Sequence, residues 1–265
     1  MDHSLIPLFD SLTHVTVDGR WFDTRDDASV TRLLAELDSA APYKACVAAI
    51  PGYNMPNSFV LEACAGDPTR LTPIAGLNTN LFSSPKDVCA EVEHLREQGF
   101  RAVKIHPTLC NIHLDSPEFD WAMESCAKLK MPVFLCTVFR RRGYVARFPA
   151  VDLIYKTFVR HSDVRVLFLH AGLSQLLVFA DLVSALPNAM LDCSYTLMKF
   201  KGSSLDLDFA YLFEHFDRRC VVGSDFPEYT PAQVRQRMAE LGATVASDKL
   251  LNVSWRNLTG FLNLE

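Results

Sequence analysis

Gly99-Phe100-Arg101-Ala102-Val103-Lys104-Ile105-His106-Pro107 is the stretch on which the fold turns. A glycine ends a helical pattern, a short run of mostly apolar residues follows, and the run stops at a histidine and a proline. The run is too short for a helix and, Lys104 apart, apolar on both faces. A strand buried in a parallel sheet has that character. Upstream, 84–97 places apolar residues at helical spacing; Ser84-Pro85 supplies an N-cap with a first-turn proline, and Gly99 a stop. Helix, turn, buried strand and a polar residue at the strand's exit form one unit.

The unit recurs in both directions. The spacing predicts strands at 6–10, 43–50, 72–77, 101–106, 132–136, 165–170, 189–193 and 220–225. It predicts helices at 29–37, 84–97, from Ser116-Pro117 onward, and at 173–186, 231–241 and 248–261. Strands alternating with helices at about 30 residues per unit predict an α/β chain folded as a single (β/α)8 TIM barrel. The competing open, doubly wound sheet usually carries a Gly-rich phosphate loop after its first strand, and neither G-x-G-x-x-G nor G-K-[ST] occurs here. With no linker or low-complexity stretch, one barrel domain spanning 1–265 is expected.

The 265 residues carry 26 Lys and Arg against 31 Asp and Glu, a formal charge of −5, with 49% hydrophobic residues. That balance suits a globular core and gives no electrostatic footprint for nucleic acid or an anionic membrane. Met1-Asp2-His3-Ser4 has no basic stretch leading into an apolar one, and His170, Gln175 and Asp181 interrupt the most apolar region. A cytoplasmic location is expected. The cysteines, Cys46, Cys64, Cys89, Cys110, Cys126, Cys136, Cys193 and Cys220, form no C-x-x-C pair, so a disulfide framework is not expected.

Barrel enzymes place their chemistry where strands end. Here the apolar runs lead to His14, His106, Cys136, His170 and Asp225. A lone histidine after an apolar run is usually structural; several on one rim point to a shared site.

These motifs, in this order, resemble the amidohydrolase-related branch of the amidohydrolase superfamily, which includes aminocarboxymuconate-semialdehyde decarboxylase and its hydrolase relatives. Phe9-Asp10-Ser11-Leu12-Thr13-His14 is similar to the family's I-D-x-H-x-H, and 99–107 resembles its G-F-x-G-V-K-L-H-P. Pro132-Val133-Phe134-Leu135-Cys136 stands where the family has P-V-x-x-H. His170-Ala171-Gly172 resembles its H-x-G, and Gly223-Ser224-Asp225-Phe226-Pro227 matches G-S-D-x-P. The resemblance covers nearly the whole chain. It implies a divalent metal, commonly zinc, that activates water, held by both histidines of H-x-H, the fifth-strand histidine and the eighth-strand aspartate. It also implies an acid/base role for the sixth-strand histidine, or in some members a ligand role.

Carried over by position, His170 is the expected acid/base, and Asp225 orients or deprotonates the water. The chain departs from the family twice: Leu12 replaces a histidine and cannot ligate, and Cys136 replaces another, where a thiolate remains a good zinc ligand. His14, Cys136 and Asp225 are therefore the candidate metal ligands, for zinc by preference, with a metal-free site as the alternative. His106, Cys110 and His113 are a second conceivable set, but their spacing fits no zinc pattern. Lys104 and His106, two residues apart, can both face the barrel interior and bind substrate, or Lys104 can simply balance Asp225. Arg140-Arg141-Arg142, Lys199 and Lys201 make a basic rim in an acidic chain, so Arg140 and Arg141 join Lys104 and His106 as candidates for an anionic substrate. Asn78, Asn80, Tyr53 and Tyr195 are further rim candidates.

The expected function is hydrolysis, or non-oxidative decarboxylation, of a small anionic organic molecule. One alternative is a metal-independent lactonase-like hydrolase or isomerase; another is an inactive barrel serving as a binding or scaffold subunit. A small-molecule partner is expected, a homo-oligomer is possible, and neither nucleic acid nor membrane is an expected partner.

Overall fold

A computed structural model describes residues 6–39, 43–139 and 150–264. Its sheet follows chain order: β1 (Leu8–Thr13), β2 (Tyr43–Ala48), β3 (Leu71–Gly76), β4 (Ala102–Ile105), β5 (Val133–Cys136), β6 (Val166–Leu169), β7 (Ala189–Asp192) and β8 (Cys220–Val221). Every neighbouring pair from β1·β2 to β7·β8 is parallel. The segment after β8 returns to β1 through single hydrogen bonds: Ser11 N–H to Val222 O (3.1 Å), Asp225 N–H to Leu12 O (2.9 Å) and His14 N–H to Phe226 O (2.8 Å). These close the expected (β/α)8 barrel.

Most strand ends fall within two residues of expectation, and two differ by more. β1 continues through Ser11-Leu12-Thr13, past the predicted stop at Asp10. Its register slips between Asp10 and Thr13, and Asp10 accepts from the N–H groups of Leu12 (3.2 Å) and Ser224 (2.8 Å). A polar side chain that accepts backbone hydrogen bonds inside the wall does not end a strand. β8 is only Cys220–Val221, because the chain turns sharply into Asp225 at φ 56°.

The connecting helices are α1 (Val30–Asp38), α2 (Asn57–Ala65), α3 (Pro85–Glu97), α4 (Pro107–Cys110), α5 (Pro117–Leu129) and α6 (Ala150–Arg160). They continue with α7 (Leu176–Ala185), α8 (Thr196–Lys199), α9 (Leu205–His215), α10 (Pro231–Leu241), α11 (Ser247–Leu251) and α12 (Asn257–Phe261). Ser84, Ser116 and Thr230 cap α3, α5 and α10, each ahead of a first-turn proline. The sequence reading missed α2, α6 and α9, and the single-turn α4 and α8. α2 and α9 start without a side-chain cap, so they lack the punctuation that marks the others. The single helix expected over 248–261 is α11 and α12 joined by a π turn, Asn252–Arg256.

Strand alternation separates two apolar layers. Leu8, Val103, Ile105, Val133 and Phe168 pack toward the helices. Phe9, Leu12, Ala102, Phe134, Cys136 and Leu167 belong to the barrel interior. Leu258, Phe261 and Leu262 join that interior cluster, and Arg165, just before β6, donates to Phe261 O (2.8 Å). The C-terminal segment thus plugs the end where strands begin. The opposite end holds the polar residues. No helix among the described residues is long and apolar enough to cross a membrane.

Candidate active site

His14 follows β1 and stands at the centre of the polar end. It is fully buried, and its Nδ1 lies 2.6 Å from Ala48 O. A carbonyl only accepts, so Nδ1 carries the ring proton. Burial and the nearby Lys104 charge push the His14 pKa well below its usual value, so the ring is neutral and Nε2 offers a lone pair. Lys104 reaches that lone pair from the inner face of β4: its Nζ lies 2.7 Å from Nε2, and the residue is only 2% exposed. Asp225 Oδ1 stands 3.7 Å from the same Nε2. Burial raises the Asp225 carboxyl to about 6, with the Lys104 charge pulling against that rise. The Trp21 ring stacks on His14 at 5.3 Å, and Trp21 Nε1 donates to Glu228 (2.8 Å).

His170 sits at the exit of β6, in a turn where His170, Ala171, Gly172 and Leu173 all have positive φ, at 64°, 44°, 72° and 59°. Three of these residues carry a Cβ that disfavours that region, so the surroundings must impose the turn. They do: Gly172 N–H donates to Thr137 Oγ1 (2.9 Å), His170 N–H to Asp192 Oδ2 (3.1 Å), and Thr196 Oγ1 to His170 O (2.6 Å). The His170 Nδ1 faces Ser194 O at 3.3 Å and Ser194 Oγ at 3.2 Å. Nδ1 therefore carries the proton, and Nε2 makes no hydrogen bond among the described residues. Burial lowers the His170 pKa, opposed by the charge of Asp192. Asp192, at the end of β7, is buried and accepts from the hydroxyls of Ser11 and Ser194.

The other expected residues divide. His106 Nδ1 accepts from the N–H of Leu109 (3.3 Å) and so caps α4; its Nε2 lies 3.4 Å from Cys136 Sγ. The Nε2 of His106 is thus turned to the fifth strand. Cys136 is fully buried in the interior apolar cluster, and burial pushes its thiol up to about 12. Leu12 lies in the same cluster. Cys110 Sγ donates to Pro51 O (3.8 Å), and among the described residues His106, Cys110 and His113 form no group able to hold an ion. Lys199 Nζ donates to Tyr195 OH (2.8 Å), and the Tyr195 ring meets His170 at 6.0 Å and Tyr229 at 5.9 Å. These form a rim. Lys201 does not join it: it pairs with Glu240 at 2.8 Å. Asn80 ties to the carbonyls of Cys110 and Asn111, and Tyr53 packs on Phe22. Arg140, Arg141 and Arg142 lie outside the described residues.

The donor set tests the implied metal. Among the described residues, no group of three or more His, Cys, Asp and Glu is arranged to hold an ion. His14 and Asp225 come together; Cys136 turns to His106, and Lys104 takes the His14 lone pair. The proposed triad His14, Cys136 and Asp225 is therefore not assembled, and the residues present do not fit a divalent ion. Reading the sequence missed Asp10, Asp192, Ser194 and Glu228. Asp192 ended an apolar run just as Asp225 does, and extending that strand to Cys193 hid it.

A family model described as amidohydrolase matches residues 10–251. No curated protein matches the chain. Solved structures share the fold at low identity. An uncharacterized TIM-barrel protein from Bordetella bronchiseptica superposes with TM-score 0.83 at 14% identity, over 97% of this chain and 98% of that one. A probable 2-pyrone-4,6-dicarboxylic acid hydrolase from Acinetobacter baumannii, with citric acid bound, gives 0.68 at 16%, over 97% and 99%. A 5-carboxyvanillate decarboxylase from Novosphingobium aromaticivorans, complexed with manganese and 4-hydroxy-3-methoxy-5-nitrobenzoic acid, gives 0.73 at 12%, over 98% and 97%.

Proposed function

The chain belongs to the amidohydrolase family, and we propose that it hydrolyses a small anionic organic substrate at the polar mouth of its barrel. The single observation that carries this reading is the meeting of Asp225 and Lys104 on one neutral histidine, His14. A carboxylate raised to about 6 is mostly ionised at neutral pH and basic enough to take a proton from water. His14, anchored through Nδ1, holds the Lys104 ammonium in place, where its positive charge stabilises negative charge developing on a substrate oxygen. His170, with its proton on Nδ1, keeps the Nε2 lone pair free to accept a hydrogen bond from the water or substrate, and the proton that Asp225 takes from water is the one passed on to the leaving group.

The charge of the mouth supports an anionic substrate. Lys104 and Lys199 are on described rim elements, and His106, Arg140 and Arg141 remain proposed contacts by position. Two of the solved relatives are named for work on carboxylated rings. A carboxylated lactone or aromatic ester is the substrate class proposed here. Decarboxylation is the second reading, favoured by the name of the Novosphingobium relative. Both readings make the chain an enzyme; the scaffold alternative leaves the convergence of His14, Lys104 and Asp225 without a purpose.

A panel of carboxylated lactones, esters, amides and hydroxybenzoates tests the proposal. At least one member is expected to turn over, with kcat/KM falling at least about 100-fold in Asp225→Asn, the typical minimum for loss of a general base. No turnover across the panel, or turnover unchanged in Asp225→Asn, would defeat it.

A further inference from the structure

We propose that the ammonium of Lys104 is the resident cation of this site and occupies the place on His14 that a divalent metal would need. A histidine ligates through a lone pair. His14 has committed Nδ1–H to Ala48 O, and its remaining lone pair, on Nε2, meets Lys104 Nζ at 2.7 Å. A metal on Nε2 and an ammonium on Nε2 exclude each other.

Three further observations agree. Lys104 projects from the inner face of β4, its neighbours Val103 and Ile105 facing the helices, so the lysine is built into the wall. Leu12, two residues before His14, offers no donor and belongs to the interior apolar cluster. Cys136 belongs to it too and faces His106. Charge balance points the same way. With Lys104 as an ammonium and Asp225 as a carboxylate, the buried pocket carries one charge of each sign around His14. A divalent ion added to that pair would leave two uncompensated positive charges in a site shielded from water, where unpaired charge is strongly unfavourable.

The exchange has a consequence for binding. An ammonium presents up to three hydrogen-bond donors and no exchangeable coordination position. It recognises a carboxylate or a developing oxyanion by charge and hydrogen bonds, and a chelator cannot strip it. The inference shares the placement of Lys104 on His14 with the proposed function but not the bond that is broken: a metal found on His14 would overturn it and the role given to Lys104, while turnover of the substrate panel would still decide for or against hydrolysis.

The test uses the whole protein, purified without chelator, with manganese and zinc as probes. Metal analysis of the parent is expected to find far less than one ion per chain, and added manganese or zinc should leave Tm unchanged. Leu12→His alone should gain no metal-dependent Tm rise, because Lys104 still fills the His14 lone pair. Leu12→His combined with Lys104→Met should gain one, by mass action on the folded state. Stoichiometric metal in the parent, lost in His14→Ala, would overturn the proposal. So would equal metal-dependent stabilisation of Leu12→His with and without Lys104. If the double variant does not fold, the metal content of the parent decides alone.

Discussion

Asp10 is a carboxyl held where ionisation is costly. Burial raises it to about 7 from an ordinary 3.8, and its Oδ2 has no hydrogen-bond partner among the described residues. An acid whose folded pKa is raised keeps a proton that the unfolded chain has released. Its contribution is complete below pH 3.8 and is lost as pH rises through about 7. The full span is of order a few kcal/mol, at 1.36 kcal/mol for each pKa unit. Asp10→Asn cannot ionise and keeps an oxygen acceptor for Leu12 and Ser224. Relative to the parent, this variant should melt higher at pH 8 than at pH 5, whatever constant cost the new amide adds. An offset identical at the two pH values would contradict it. Asp225, raised to about 6, gives a kinetic counterpart: kcat/KM should fall about tenfold per pH unit below that value. A flat acid limb would remove Asp225 as the base.

At the scale of elements, the seam between β8 and β1 carries the site. Gly223 lies against it so closely that a Cβ there would stand 2.8 Å from Asp10 Oδ1 and 2.9 Å from Leu12 N, and would also strike Ser11 Oγ. Gly223→Ala should therefore lower stability by about 1–3 kcal/mol, as overpacking typically does, measured by urea unfolding. A variant as stable as the parent would mean that the seam is looser than described. The strands were legible because buried parallel strands leave short apolar runs between helix signals, as at 99–107. Helices such as α3 and α10 were legible, the first from Ser84-Pro85 and Gly99, the second from its span between Pro231 and Gly242. The left-handed turn at His170–Leu173 was not. Apart from Gly172 its residues carry side chains, and the contacts that force it come from Thr137, Asp192 and Thr196, far away in sequence.

Over the whole molecule, position at strand exits was enough to bring His14, His170 and Asp225 to the same end of the barrel. Partners within that end were not readable. Lys104 could be placed on the inner face by counting, but its contact with His14 spans 90 positions in the chain. Nor could counting tell that His106 would turn to Cys136. The functional proposal comes down to the addition of water. Its most direct test is turnover of a panel substrate in ¹⁸O-labelled water, with product mass and released CO2 measured together. Hydrolysis by Asp225 and His170 requires about one labelled oxygen in the product per turnover and no CO2. Unlabelled product accompanied by stoichiometric CO2 would contradict it and make the enzyme a decarboxylase.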